Sequence, residues 1–207
     1  MHLLTVHGWA FCPEVFKALE GVGEKVEHHT LGYTSLKKEV QKVAERITHQ
    51  TVVVGWSLGA TLAVLASHTV PPKGLVLIGA TPHFGKAWKR EYIERFLSEL
   101  RTRFEEKIEQ FRLSVWGEPI CENTSLERER AIKLLEEFVE TDISQEVASL
   151  KIPTLLVHGK KDPITPFREA KKMLKLNPRL ELTAYDGGHF PKTFTPNDWK
   201  ALLRRFR

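Results

Sequence analysis

Residues 51–60 read Thr-Val-Val-Val-Gly-Trp-Ser-Leu-Gly-Ala, an apolar β-branched run that halts on a serine flanked by glycines. The run predicts a buried strand. The next residues, Thr61, Leu62, Ala63, Leu65 and Ala66, predict a helix. Gly55, Ser57 and Gly59 therefore fall on a sharp strand-to-helix turn, the setting that the pattern G-x-S-x-G demands. The flanking glycines let the backbone crowd there without side-chain clashes. A serine hydroxyl is a poor nucleophile until such a turn thrusts it out beside a base. The same turn opens a helix, so the amide of Leu58 points to where an oxyanion would form.

The rest of the chain repeats this strand-then-helix grammar. Strands are expected at Leu3–Val6, Lys25–Thr30, Thr51–Val54, Gly74–Ile78, Pro153–His158 and Glu181–Tyr185. Helices are expected over Ser35–His49 with Ser35 as N-cap, after Ser57, over Pro166–Leu176 and over Pro196–Phe206. Such alternation predicts an α/β fold, a mainly parallel sheet covered by helices. Residues 82–145 break it. They show no strand pattern and read as two or three helices, separated at 116–119 and 122–125. The expected organisation is a core of residues 1–81 and 146–207, with 82–145 inserted as a small helical cap. The cap's first helix carries Trp88, Tyr92, Phe96, Leu100, Phe104, Ile108 and Phe111 at spacings of four and three. Such a stripe is ordinarily core packing; over the carboxyl ends of a parallel sheet, it would also face the ligand crevice.

Charge and cysteine usage narrow the remaining classes. The chain has 31 Lys+Arg against 26 Asp+Glu, a net +5, with the two signs interleaved. That balance favours acidic partners weakly and carries no nucleic-acid motif. No apolar stretch approaches the ~20 residues that span a bilayer. Cys12 and Cys121 offer neither a disulfide framework nor metal-ligand spacing, so two free thiols and a reducing cytoplasm are the expectation. Three Asn and four Gln beside many Lys, Arg and Glu are the composition of a thermophilic source.

A nucleophilic serine needs an acid and then a histidine late in the chain. Asp162 follows the apolar strand Leu155-Leu-Val-His158, and His189 lies in a glycine-rich loop after the next strand. Ser57, Asp162 and His189 thus all fall at carboxyl ends of strands. Asp186 is too near His189 along a short glycine turn to face it, and Asp162 is preferred. His7 is expected to shape the first loop, and His158 to be a buried, hydrogen-bonded core residue. Gly8 lets the chain turn after the first strand, so that the amide of Trp9 joins that of Leu58 as a second oxyanion donor.

These residues resemble the α/β-hydrolase superfamily over nearly the full length: His7-Gly8-Trp9, Gly55-Trp56-Ser57-Leu58-Gly59, His158-Gly-Lys-Lys-Asp162 and Gly188-His189 all fall where that superfamily places them. The paired tryptophans, with Ala80-Thr-Pro-His-Phe84, are similar to the pimeloyl-acyl-carrier-protein methyl ester esterases of biotin synthesis. Several features depart from the family. The chain starts at what is usually the third strand, His29-Thr-Leu-Gly-Tyr33 replaces the D-x-P-G-x-G-x-S loop, and Ala60 stands where a second glycine is usual. The resemblance implies an acyl pocket lined by the cap segment Phe111, Arg112, Leu113, Ser114 and Val115, whose following glycine, Gly117, comes one position early. It also implies an acidic acyl-carrier protein as partner, for which Arg103, Lys107, Arg112, Arg128 and Arg130 are candidate contacts without matching position for position.

The expected activity is a monomeric, cytoplasmic serine carboxylesterase that needs no metal or organic cofactor. The resemblance names the methyl ester of pimeloyl-acyl-carrier protein as substrate. A general short-acyl esterase or thioesterase suits the same triad, and a non-catalytic hydrolase-fold binding protein is the alternative of another class. An aspartate nucleophile, as in dehalogenases and epoxide hydrolases, is excluded by Ser57.

Overall fold

A computed structural model of the chain describes residues 1–206. Six strands form one fully parallel sheet: β1 (His2–Val6), β2 (Lys25–His29), β3 (Thr51–Trp56), β4 (Gly74–Ile78), β5 (Thr154–Gly159) and β6 (Glu181–Tyr185). Their spatial order is β2-β1-β3-β4-β5-β6. Alternate residues of the central strands serve opposite faces. Leu4, Val6, Val53, Leu75, Leu77 and Leu156 enter one core cluster, while Leu3, Val52, Val54, Val76, Ile78, Leu155 and Val157 enter the other. A strand buried on both faces must be apolar along its whole length, which is why these segments read as continuous runs.

The first face is covered by α1 (Leu36–Ala44) and α2 (Leu58–Ser67), and the second by a 3-10 helix over Pro13–Leu19. Ser35 caps α1, its hydroxyl accepting from the amide of Lys38. Ser35–His49 is thus helical only to Ala44. The helix α2 is apolar nearly all round because only Leu65 among its residues escapes burial. Between β4 and β5 the chain runs through α3 (Arg90–Thr102), α4 (Phe104–Trp116), α5 (Arg128–Glu140) and α6 (Ser144–Ser149). It ends with α7 (Arg168–Leu176), α8 (Pro196–Leu203) and a 3-10 turn at Arg204–Phe206.

Two expectations fail here. The aromatic stripe is not one helix: Arg103, at φ −136° and ψ 55°, breaks it into α3 and α4. Each four-residue step on an α-helix turns about 40° past a full circle. A stripe of such steps from Trp88 to Ile108 drifts about 200° and cannot face one surface of a straight helix. The break resolves the drift. Leu100, Phe104 and Ile108 enter the core, whereas Trp88, Tyr92, Phe96 and Phe111 turn toward a cavity. The second failure concerns the cysteines. Cys12 and Cys121 are joined in a disulfide that spans 109 residues, with Cα atoms 5.8 Å apart. Neither is the free thiol expected from the sequence, because a pairing of residues so distant in the chain has no local signature.

The sheet's order reverses direction at β1 and β3, which are neighbours although β2 lies between them in sequence. Chains leaving such a pair diverge to opposite sides and open a crevice at the carboxyl ends. Val6 pairs in register with Gly55, so the Gly8 loop and Ser57 emerge side by side at that crevice.

Candidate active site

Ser57 has φ 56° and ψ −117°, a positive-φ conformation that costs of order 1–3 kcal/mol for a non-glycine residue. Its amide donates to the carbonyl of Ile78 at 2.9 Å, closing β3 against β4, and its carbonyl then accepts the amides of Ala60 and Thr61 to start α2. The glycines permit this crowding. A Cβ on Gly59 would overlap the backbone of β1, and one on Gly55 would run into Gly59 and Ala60. Leu58, as the first residue of α2, has an amide with no intrahelical acceptor.

The loop after β1 runs beside this turn. Gly8 passes so close to the elbow that a Cβ there would stand 3.3 Å from that of Ser57. The Gly8 carbonyl accepts from Nδ1 of His7 at 2.9 Å and from the amide of Phe11 at 3.3 Å. A trans peptide points its N–H opposite its C=O. Anchoring that carbonyl therefore aims the Trp9 amide the other way, and it meets no acceptor among the described residues. His7 is neutral here, because its Nε2 accepts the amide of Leu31 at 3.1 Å while Nδ1 donates. Burial holds its pKa down at about 4, against the raising effect of the Gly8 carbonyl. As the sequence suggested, His7 shapes this loop.

Asp162 and His189 meet between the carboxyl ends of β5 and β6. Oδ2 of Asp162 accepts from Nδ1 of His189 at 2.7 Å, and both side chains are buried. The other oxygen, Oδ1, accepts the amides of Ile164 at 2.8 Å and Thr165 at 2.9 Å. Burial pushes the Asp162 pKa up, but the adjacent His189 and these amides outweigh it and hold the carboxyl below its usual range. An ionised acceptor at Nδ1 fixes the histidine's tautomer and leaves Nε2 free to accept. That atom is buried without a hydrogen-bond partner, and His189 lines the same cavity as Ser57. Asp186 instead lies in solvent, paired with Lys161 at 2.9 Å. His158 is buried and spends its Nε2 on the carbonyl of Thr165 at 2.7 Å.

Contacts that the sequence reading missed set the histidine's place. The indole of Trp56 donates to the carbonyl of His189 at 3.0 Å, with the two rings 5.4 Å apart. Gly159 and Gly79 clear the space: a Cβ on the first would overlap the carbonyls of Gly187 and Gly188, and one on the second would stand 2.8 Å from the imidazole. The hydroxyl of Thr165 lies 2.9 Å from Oδ2 of Asp162 and 2.8 Å from the carbonyl of Gly79. A glycine-rich loop around the histidine was the visible signal for this close packing.

The cavity in front of Ser57 has a volume of about 260 Å³. Trp9, Phe11, Trp88, Phe96, Phe111 and Phe138 contribute its aromatic walls, and among the described residues His189 is its one ionisable lining group apart from the phenol of Tyr92. Of the segment 111–115, only Phe111 reaches it. Leu113 and Ser114 are exposed, and Val115 packs against the opposite core cluster. Arg112 points away and gives its guanidinium to three backbone carbonyls, those of Ala10, Cys121 and Thr124. The other basic candidates are paired with glutamates: Arg103 with Glu106, Lys107 with Glu99, Arg128 with Glu105 and Arg130 with Glu127.

Comparison with known proteins gives a consistent picture. Residues 3–191 match the model of the alpha/beta hydrolase family. The chain is 27% identical to a pimeloyl-[acyl-carrier protein] methyl ester esterase of Xylella fastidiosa, over 99% of this chain and 94% of the relative. It is 28% identical, with the same coverage, to the protein of that name from Xanthomonas oryzae pv. oryzae. Among solved structures, a bromoperoxidase from Bacillus anthracis superposes with a TM-score of 0.83 at 17% identity, covering 99% of this chain and 91% of that one. An esterase from Exiguobacterium antarcticum does so with a TM-score of 0.79 at 16% identity, covering 100% and 91%.

Proposed function

The chain belongs to the alpha/beta hydrolase family, and from that premise we propose that it is a serine carboxylesterase with Ser57, His189 and Asp162 as its catalytic triad. The observation that carries this reading is the buried Asp162–His189 bond, which leaves Nε2 of the imidazole unpartnered in the cavity that Ser57 enters from its strained turn. Nε2 takes the hydroxyl proton as Oγ of Ser57 attacks the ester carbonyl carbon. Asp162 holds the imidazole's orientation and stabilises its charged form. The amides of Leu58 and Trp9 receive the oxyanion; loss of one such donor typically removes about 2.7–4 kcal/mol of transition-state stabilisation. The proton on Nε2 passes to the departing alkoxide, which leaves as the alcohol. Water then adds to the acyl-enzyme with Nε2 as base, releasing the acid and restoring Ser57.

The substrate class follows from the walls. Aromatic and aliphatic side chains favour a neutral acyl ester, whereas a carboxylate would be desolvated there without a cation to pair with. The names of the relatives direct the finer proposal to the methyl ester of pimeloyl-acyl-carrier protein, with residues 82–145 acting as a cap over the acyl chain. A chain buried up to its ester, with the carrier outside, suits such a cavity. A cytoplasmic site of action belongs to this proposal, and cytosolic disulfides are most common in hyperthermophiles, which agrees with the low Asn and Gln content.

A general short-acyl esterase is favoured by one observation: Arg103, Lys107, Arg128 and Arg130 are all neutralised by glutamates, and Arg112 is committed to backbone. Hydrolysis of pimeloyl-acyl-carrier-protein methyl ester beside a short p-nitrophenyl ester, by wild type and Ser57→Ala, separates the two. A Ser57-dependent preference for the carrier-bound ester supports the finer reading. Turnover of the small ester alone keeps the triad and discards the carrier.

A further inference from the structure

The loop that presents the Trp9 amide is fastened to the helical segment between β4 and β5 at three of four successive residues. The Trp9 indole donates to the carbonyl of Ala131 in α5 at 2.8 Å. The Ala10 carbonyl accepts from Nε of Arg112 in α4 at 2.6 Å. Cys12 is covalently joined to Cys121 in the connection between those helices. Arg112 also holds that connection, donating to the carbonyls of Cys121 at 3.0 Å and Thr124 at 3.4 Å. One guanidinium therefore fixes both sides of the junction.

Ala10 needs such restraint. It sits at φ 66°, a conformation that an alanine leaves unless its surroundings over-determine it. Its amide is held by the hydroxyl of Tyr33 at 3.1 Å and its carbonyl by Arg112. If Ala10 relaxes, the turn from Gly8 to Phe11 opens, and the Gly8–Trp9 peptide loses the Phe11 amide that helps to aim it.

We infer that Arg112 is a positioning residue for the oxyanion hole, locking the conformation of Ala10 and through it the direction of the Trp9 amide. The inference rests on the proposed role of that amide. It assigns a basic residue that touches the loop to transition-state geometry and not to partner binding. A planar five-donor fork reaches three diverging carbonyls, and a lysine ammonium cannot span them.

The test compares wild type, Arg112→Lys, Arg112→Met and Ser57→Ala on a short p-nitrophenyl ester. Inhibition by an alkyl trifluoromethyl ketone, whose serine adduct carries an oxyanion, is measured beside it, with thermal melts as the folding control. For Arg112→Met, kcat is expected to fall about ten- to a hundredfold with KM within about twofold, below the 10²–10³ cost of deleting a donor outright. Inhibitor affinity falls by the same factor as kcat. Arg112→Lys is expected to fall between it and wild type, and carries the test alone if the methionine variant does not fold. Unchanged kcat, or a lower melting temperature with unchanged inhibitor affinity in the folded variant, overturns the inference. Retained activity in Ser57→Ala instead overturns the underlying catalytic reading.

Discussion

At the residue scale, the neutral state of His7 ties the loop after β1 to pH. The unfolded chain binds a proton at this imidazole below about 6.5, whereas the folded chain resists it until about 4. The unfolded state therefore binds more protons within that window, and folding stability rises with pH across it. The contribution is fully present above pH 6.5 and is lost as pH falls toward 4, the loss having reached about 2 kcal/mol at pH 5. Burial lowers the pKa of His158 as well, so it adds to the same trend. Denaturant unfolding at pH 7 and pH 5 should show wild type losing this much and His7→Gln losing clearly less. An equal pH dependence in both proteins contradicts a buried neutral His7.

At the element scale, the loops after β5 and β6 come into close contact at Gly159. Its missing side chain lets the carbonyls of Gly187 and Gly188 pass, and those residues carry His189. Gly159→Ala is expected to destabilise the fold by about 1–3 kcal/mol through overpacking and to lower esterase kcat by tenfold or more as His189 leaves Asp162. Melting curves and steady-state kinetics check both; full activity would show that the two loops move independently. This scale also separates what local sequence carries from what it does not. The strand-turn-helix around Ser57 and the positions of Asp162 and His189 after strands are short-range patterns, and they were readable. The end of a helix at Arg103 was missed because no glycine or proline marks it, although the 200° drift of the stripe is a signal for it. Nor could spacing show that Arg112 turns its back on the cavity, or that Trp56 reaches the backbone of His189, 133 residues away.

At the scale of the whole molecule, the disulfide is the contact that sequence order concealed. It closes a loop of 109 residues that runs through α1 to α4 and three strands of the sheet. Constraining the unfolded chain over such a span is worth about 2–5 kcal/mol. For a chain of this size, each kcal/mol moves the melting temperature by about 2–4 °C. Reduction with dithiothreitol, or the double variant Cys12→Ser/Cys121→Ser without reductant, should lower the melting temperature by roughly 4–20 °C. Equal melting of oxidised, reduced and double-variant proteins would contradict the cross-link as a stabilising element. No helix among the described residues is long and apolar enough to cross a membrane.

In the proposed mechanism Ser57 is an activated nucleophile served by His189 and Asp162. Peptide mapping by mass spectrometry after treatment with a fluorophosphonate tests it most directly, in wild type, Asp162→Asn and Asp186→Asn. One adduct on Ser57 is predicted, formed at the wild-type rate in Asp186→Asn and slowed by a factor of a hundred or more in Asp162→Asn. An unlabelled Ser57, or equal labelling in all three proteins, would contradict the account.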